Sequence, residues 1–199
     1  MNSVRHTWRH TVLAVLCLLP AASDADDLVS GLGLGELASQ FMVKDCTGPA
    51  AGKTLCYYCR YAERPVVALF VRELNDEVAQ LVQDIDKSVA KHQSQRLAAF
   101  IVLIGKDTPS SEKRLKQVAK DRRLRHTPLT IYRDQPAKLT DLYRLAPEAA
   151  VTALVWQQGK IIHNSAYPTS RLTAGQRKRF VTSLESAILR HSNQSPQSP

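Results

Sequence analysis

The residues best suited to chemistry are two cysteines enclosing two tyrosines, Cys56-Tyr57-Tyr58-Cys59. Thiols at this spacing can close a small disulfide loop and exchange it with other thiols, the thiolate being the attacking species. Lys53, Arg60 and Arg64 put positive charge close in sequence, which favours a thiolate where those side chains approach it. Three readings are open. The first is a redox pair that exchanges with protein thiols or disulfides, with Cys46 as a third partner. The second is a fixed disulfide stapling a hairpin edge, although a bridge closing so short a loop gains little from loop entropy. The third is a site for Cu(I) or zinc completed by Cys46 or His126, although a second closely spaced ligand pair is missing. No metal is assigned on this basis. Covalent haem needs a histidine directly after the second cysteine, where Arg60 stands, and no cofactor is expected.

The first residues set the compartment in which those thiols work. Arg5, His6, Arg9 and His10 precede an apolar run from Thr11 to Ala22, and Ser23-Asp24-Ala25 supplies small residues for a signal peptidase. The run is too short to span a bilayer, so residues 1–25 read as a signal peptide cleaved after Ala25, leaving no transmembrane anchor. An exported protein, periplasmic or extracellular, is expected. Outside the cytoplasm disulfides persist, and Cys17 departs with the signal, leaving Cys46, Cys56 and Cys59. Loss of Arg5, Arg9 and Asp24 takes the formal charge from +9 to +8. Much of it lies in a basic helix over 112–125, which reads as a solvated face and otherwise as attraction to an anionic surface; no aromatics are interleaved to stack bases.

Hydrophobic patterning gives the elements that must position the pair. Phe41 to Asp45 and Lys53 to Tyr58 read as an N-terminal hairpin around the turn formers Thr47 to Gly52, with the tyrosines packing from a strand. Val66–Val71 is a strand buried on both faces, followed by a helix capped by Asn75 with Val78, Leu81, Val82, Ile85 and Val89 inward. Leu97 to Ile104 completes a crossover unit. A helix opening at Thr108-Pro109, a short strand from Leu129 to Tyr132, a hairpin turning at Gln157-Gln158-Gly159 and a helix opening at Thr173 follow. The organisation expected is a linker over 26–33, one domain over 34–190 and a disordered tail over 191–199.

This order resembles the thioredoxin fold, an α/β architecture with a central mixed sheet flanked by helices, here with an extra N-terminal β-hairpin like that of the peroxiredoxin-like branch. Asp45-Cys46-Thr47-Gly48 with Gly52-Lys53 resembles that hairpin, Val155 to Ile162 resembles the terminal hairpin, and the stretch from Gly52 to Pro65 is similar to a group of exported bacterial thioredoxin-like proteins. The resemblance implies a cis-proline at Pro128, with Thr127 and Pro128 contacting extended substrate chains. It also implies that a reactive pair follows the central strand and opens the next helix, where free N–H groups stabilise a thiolate. Arg72-Glu73-Leu74-Asn75 stands there instead. Thiol–disulfide exchange through Cys56 and Cys59 is therefore expected from a displaced pair without a helix start, the alternative being a binding or scaffold module with a structural disulfide.

Overall fold

Two six-residue runs without a charged side chain, Val66–Val71 and Ala98–Leu103, are buried almost throughout and form the middle of the sheet. The structure, a computed structural model, describes residues 28–105, 107–168 and 172–192; the expected signal peptide and residues 193–199 lie outside the described residues. In chain order the elements are β1 (Val43–Asp45), β2 (Thr54–Leu55), α1 (Tyr57–Tyr61), β3 (Val66–Val71), α2 (Asp76–Lys91) and β4 (Ala98–Leu103). There follow α3 (Pro109–Asp121), β5 (Leu129–Tyr132), α4 (Pro136–Tyr143), β6 (Val151–Gln157), β7 (Lys160–Tyr167) and α5 (Ala174–Ser192). The strands form one seven-stranded sheet in the order β2-β1-β5-β4-β3-β6-β7, with β3, β4 and β5 parallel and the remaining pairings antiparallel.

Alternate residues of β3 feed two separate cores, as the pleat requires. Val67, Leu69 and Val71 meet Leu81 and Ile85 of α2, Leu115 of α3 and Leu184 of α5. Val66, Ala68 and Phe70 meet Phe100, Trp156, Tyr57 and Tyr61 of α1, and Leu139 and Tyr143 of α4. Each fully buried side chain of this size contributes roughly 1.5–3 kcal/mol. Residues before β1 dock on the second face: Ser30 Oγ lies 2.6 Å from Thr152 Oγ1, and Tyr143 Oη donates to Ser39 O.

The capping signals stand where the sequence places them. Asn75 Oδ1 accepts from Val78 N at 2.9 Å, Thr108 Oγ1 from Ser111 N at 3.1 Å, and Thr173 and Gln176 bond each other reciprocally. Gln158 and Gly159, with φ of 52° and 73°, form the two-residue turn joining β6 to β7, both in the conformation such turns demand.

Four expectations are corrected. The second arm of the N-terminal hairpin is only Thr54–Leu55, and the chain turns helical from Tyr57 because Tyr57 and Tyr61, four apart, fall on one buried face. No element is expected over 136–143, yet α4 forms there; Leu139 and Tyr143 make the same spacing, after Pro136 in the first turn. The basic segment 112–125 is not one helix: α3 ends at Asp121, and Arg123 is left-handed with φ 54°. Within it Lys116 pairs with Glu112, Arg122 pairs with Asp76 and Arg114 donates to Leu74 O, and nothing among the described residues supports the anionic-surface expectation. Finally, α5 runs through Ser192, two residues into the expected tail.

Among the described residues no helix is long and apolar enough to cross a membrane. Asn75→Ala should lower unfolding free energy by about 1 kcal/mol in urea denaturation, the usual loss for a side-chain cap, while leaving the Cys56–Cys59 reduction potential unchanged, since α2 begins beyond the far end of β3.

Candidate redox site

Asp45, wholly buried at the end of β1, is the point from which the site is built. Its carboxylate accepts the N–H groups of Thr47 at 3.1 Å, Gly48 at 2.6 Å and Ala50 at 2.8 Å, winding the loop around itself. The same carboxylate accepts the Tyr57 hydroxyl at 2.8 Å. Gly48 is required by that closeness: a Cβ there would lie 2.6 Å from Tyr57 Oη, 2.7 Å from Pro128 Cβ and 2.8 Å from Asp45 Oδ2. Burial, and then the bond to Asp45, holds the Tyr57 phenol well above its ordinary pKa, so it remains a donor. The Tyr57 ring stacks on Phe100 at 5.2 Å, Tyr61 donates to Ala99 O at 3.4 Å, and Tyr58 packs against Trp156 at 5.9 Å. All three tyrosines pack, as expected, but from a helix rather than a strand.

On this anchored turn sit the two cysteines, joined as a disulfide with Cα atoms 5.3 Å apart. Cys56 is the N-cap of α1, and its sulfur accepts the Cys59 N–H at 3.0 Å. A helix start is therefore present at the displaced pair. With five residues it has little macrodipole, and what it offers a Cys56 thiolate is chiefly that one N–H. Cys56 is half-buried, whereas Cys59 is exposed, its sulfur 3.7 Å from Gln40 Oε1. Of the nearby cations, Arg60 is exposed on α1, while Arg64 lies over the Tyr61 ring at 5.3 Å and donates to Arg96 O and Leu97 O.

Other expected partners are elsewhere. Cys46 is buried in the core on the α2, α3 and α5 face, whereas Tyr57 and Tyr61 belong to the opposite face. Its sulfur is 3.8 Å from Lys44 O, and burial pushes the thiol up to about 12. Cys46 therefore joins neither a redox exchange nor a metal site with the pair, and among the described residues no group of three or more histidine, cysteine, aspartate and glutamate side chains could hold a metal ion. The expected cis-proline is also corrected: no peptide bond among the described residues is cis. The chain runs into β5 without reversal, His126 N bonding Asp86 Oδ1 at 2.7 Å and Pro128 O accepting from Ile101 N at 2.9 Å. Thr127 and Pro128 line a cavity that neither Cys56 nor Cys59 enters.

The start of α2, where the resemblance places a reactive pair, is closed by Arg72. Its guanidinium donates to the carbonyls of Leu145, Ala146 and Ala149 at 3.0–3.2 Å, and its backbone N–H to Ala150 O at 3.2 Å. Two residues of the displaced site were missed in sequence. Asp45 announces itself as Asp-x-Thr-Gly, a side chain able to cap its own turn. Gln40 carries no such signal.

Tyr57→Phe, which removes one of the donors to Asp45, should cost about 1.5–3 kcal/mol in urea unfolding, the range for a hydrogen bond to a charged group. After reduction, iodoacetamide at about pH 8 should modify Cys56 and Cys59 in the folded chain, because thiols are alkylated as thiolates. Cys46 should stay unmodified until denaturant is added, and mass spectrometry of the labelled peptides reads the difference.

No protein-family model matches the chain, and no curated protein matches it. Solved structures do. A protein assigned as the thiol:disulfide interchange protein DsbE of Chlorobium tepidum superposes with a TM-score of 0.57 at 13% identity, over 79% of this chain and 99% of that one. A protein assigned as a disulfide isomerase of Bacteroides thetaiotaomicron gives 0.54 at 18%, over 81% and 98%. The mitochondrial 1-Cys peroxiredoxin of yeast gives 0.60 at 13%, over 84% of each chain. At these identities the likeness concerns architecture, and with the seven-stranded mixed sheet and its five helices it establishes that this chain has the thioredoxin-like fold.

Proposed function

We propose that the protein is an exported thiol–disulfide oxidoreductase acting on protein thiols or disulfides through Cys56 and Cys59. The observation that carries this reading is the asymmetry of the pair: an exposed residue, Cys59, is disulfide-bonded to a half-buried one, Cys56, whose sulfur receives an N–H at 3.0 Å. A staple would add little, since the loop it closes is short and the turn is already held by Tyr57 and Tyr61. Export is supported by the charged and apolar sequence of residues 1–25.

The asymmetry gives the exchange a direction through the pair. A substrate thiolate attacks the accessible Cys59 sulfur, forming a mixed disulfide as the Cys56–Cys59 bond breaks. The bonding electrons leave on Cys56, whose thiolate is met by the Cys59 N–H. A second substrate thiolate then attacks the substrate sulfur of the mixed disulfide and releases Cys59 as thiolate. The substrate is oxidised by two electrons and the pair is reduced; the reverse sequence reduces a substrate disulfide.

A second reading is favoured by Arg72. Its guanidinium occupies the helix start where the resemblance expects reactive thiols, as in a binding or scaffold module that has kept only the fold. The two readings part on one number. Glutathione titration of the mature chain, with thiols counted by mass spectrometry, should place the pair between about −120 and −270 mV for an exchange-active disulfide. A value below about −300 mV would identify a staple and leave the module reading standing. In an insulin-reduction assay both Cys56→Ser and Cys59→Ser should lose activity, with a mixed disulfide accumulating only on Cys56→Ser. Activity surviving in Cys59→Ser would overturn the assigned site.

A further inference from the structure

A second site lies at the amino-terminal ends of the parallel strands, where a cavity of about 660 Å3 opens beside Tyr61, Leu97, Leu124, Thr127 and Pro128. Arg64, Arg96, Arg125 and His126 also line it, and no aspartate or glutamate is among its lining residues. The carboxylates bonded to its walls are turned to the backbone. Asp86 accepts from Arg125 N and His126 N, and Asp45 from Gly48 N. Arg64 is held over Tyr61 by the carbonyls of Arg96 and Leu97, which fix the guanidinium without neutralising it. Thr127 is 3% exposed, and its hydroxyl has no hydrogen-bond partner among the described residues. A buried hydroxyl left unpaired is unfavourable unless something else bonds it.

We propose that this cavity binds an acidic peptide segment. Its carboxylates meet Arg64, Arg96 and Arg125, and an apolar side chain beside them seats against Leu97 and Leu124. The volume falls in the range of ligand sites, well beyond an inorganic ion, and the wall combines arginines with apolar residues. The expected substrate contacts of Thr127 and Pro128 thus become contacts of this cavity's wall. The proposal does not rest on thiol exchange, since neither Cys56 nor Cys59 lines the cavity.

The test is calorimetric titration of the mature chain with an acetylated tetrapeptide alternating glutamate and leucine, set against the lysine and leucine counterpart and against citrate. The glutamate peptide should bind, the lysine peptide should not, and salt at about 0.5 M should weaken the complex. Arg96→Gln with Arg125→Gln, both exposed, should leave the melting temperature unchanged and weaken binding roughly tenfold or more, the loss of two charge-assisted contacts. Thr127→Val, close in shape, should weaken binding while leaving the fold at least as stable, which keeps the test open if the double variant fails to fold. Absence of binding, equal binding of the lysine peptide, or unchanged affinity in folded variants would overturn the proposal. Citrate binding as tightly as the glutamate peptide would overturn it in favour of a small-anion site.

Discussion

The arrangement of this site depends on one buried carboxylate. Asp45 has no exposure to solvent, and a carboxylate removed from water is tolerable only when its oxygens are filled by donors. Three backbone N–H groups and one phenol do that, and in doing so they weld two pieces of chain that are otherwise weak. The turn after β1 has no core of its own, and α1 is a helix of five residues, far below the length at which a helix is stable alone. Tyr57 belongs to both, with its hydroxyl on the loop's carboxylate and its ring on Phe100 of the sheet. The cysteines on either side of Tyr57 and Tyr58 inherit their positions from that weld.

How much of this the sequence disclosed follows from where each stabilising interaction lies. Val66–Val71 and Leu97 to Ile104 are legible because a strand buried on both faces must be apolar throughout, whatever surrounds it. The helices after Asn75, Thr108 and Thr173 are legible because their caps are local, each closing a bond within three residues. The displaced site is less legible because its bonds are not local. Tyr57 reaches back twelve residues to Asp45 and forward to Phe100, and read alone the stretch from Lys53 to Tyr58 alternates like a strand. Only the spacing of Tyr57 and Tyr61 carries the helical period, and one pair of residues is a thin signal beside an apparent alternation. In the same way α4 shows itself by Leu139 and Tyr143 alone, without a side-chain cap at Gln135.

Pro128 shows a local signal whose expected cis bond is absent and whose place in the fold only topology gives. A proline before a core strand resembles a substrate-facing cis-proline, yet Pro128 precedes β5, and it stands against Gly48 and the Asp45 loop. The segment that faces the start of α2 is 145–150, just before β6, and Arg72 bonds it shut. Strand order decides this: β6 lies beside β3 and antiparallel to it, so the chain entering β6 passes the end at which β3 leaves. No count of residues along the sequence discloses which strand becomes the neighbour of β3.

The closed position and the displaced pair are consistent with one another in physical terms. At the start of α2 a long helix and its free N–H groups would favour a thiolate, but the chain leading into it carries Arg72, whose guanidinium is taken up by the carbonyls of Leu145, Ala146 and Ala149. At the start of α1 the macrodipole is nearly absent, and a single N–H at 3.0 Å must do the stabilising. That N–H is aimed at Cys56 and not at Cys59. Of the two, Cys59 is the residue open to solvent, and the fold holds the pair through Asp45 and Tyr57 rather than through the electrostatics of a long helix.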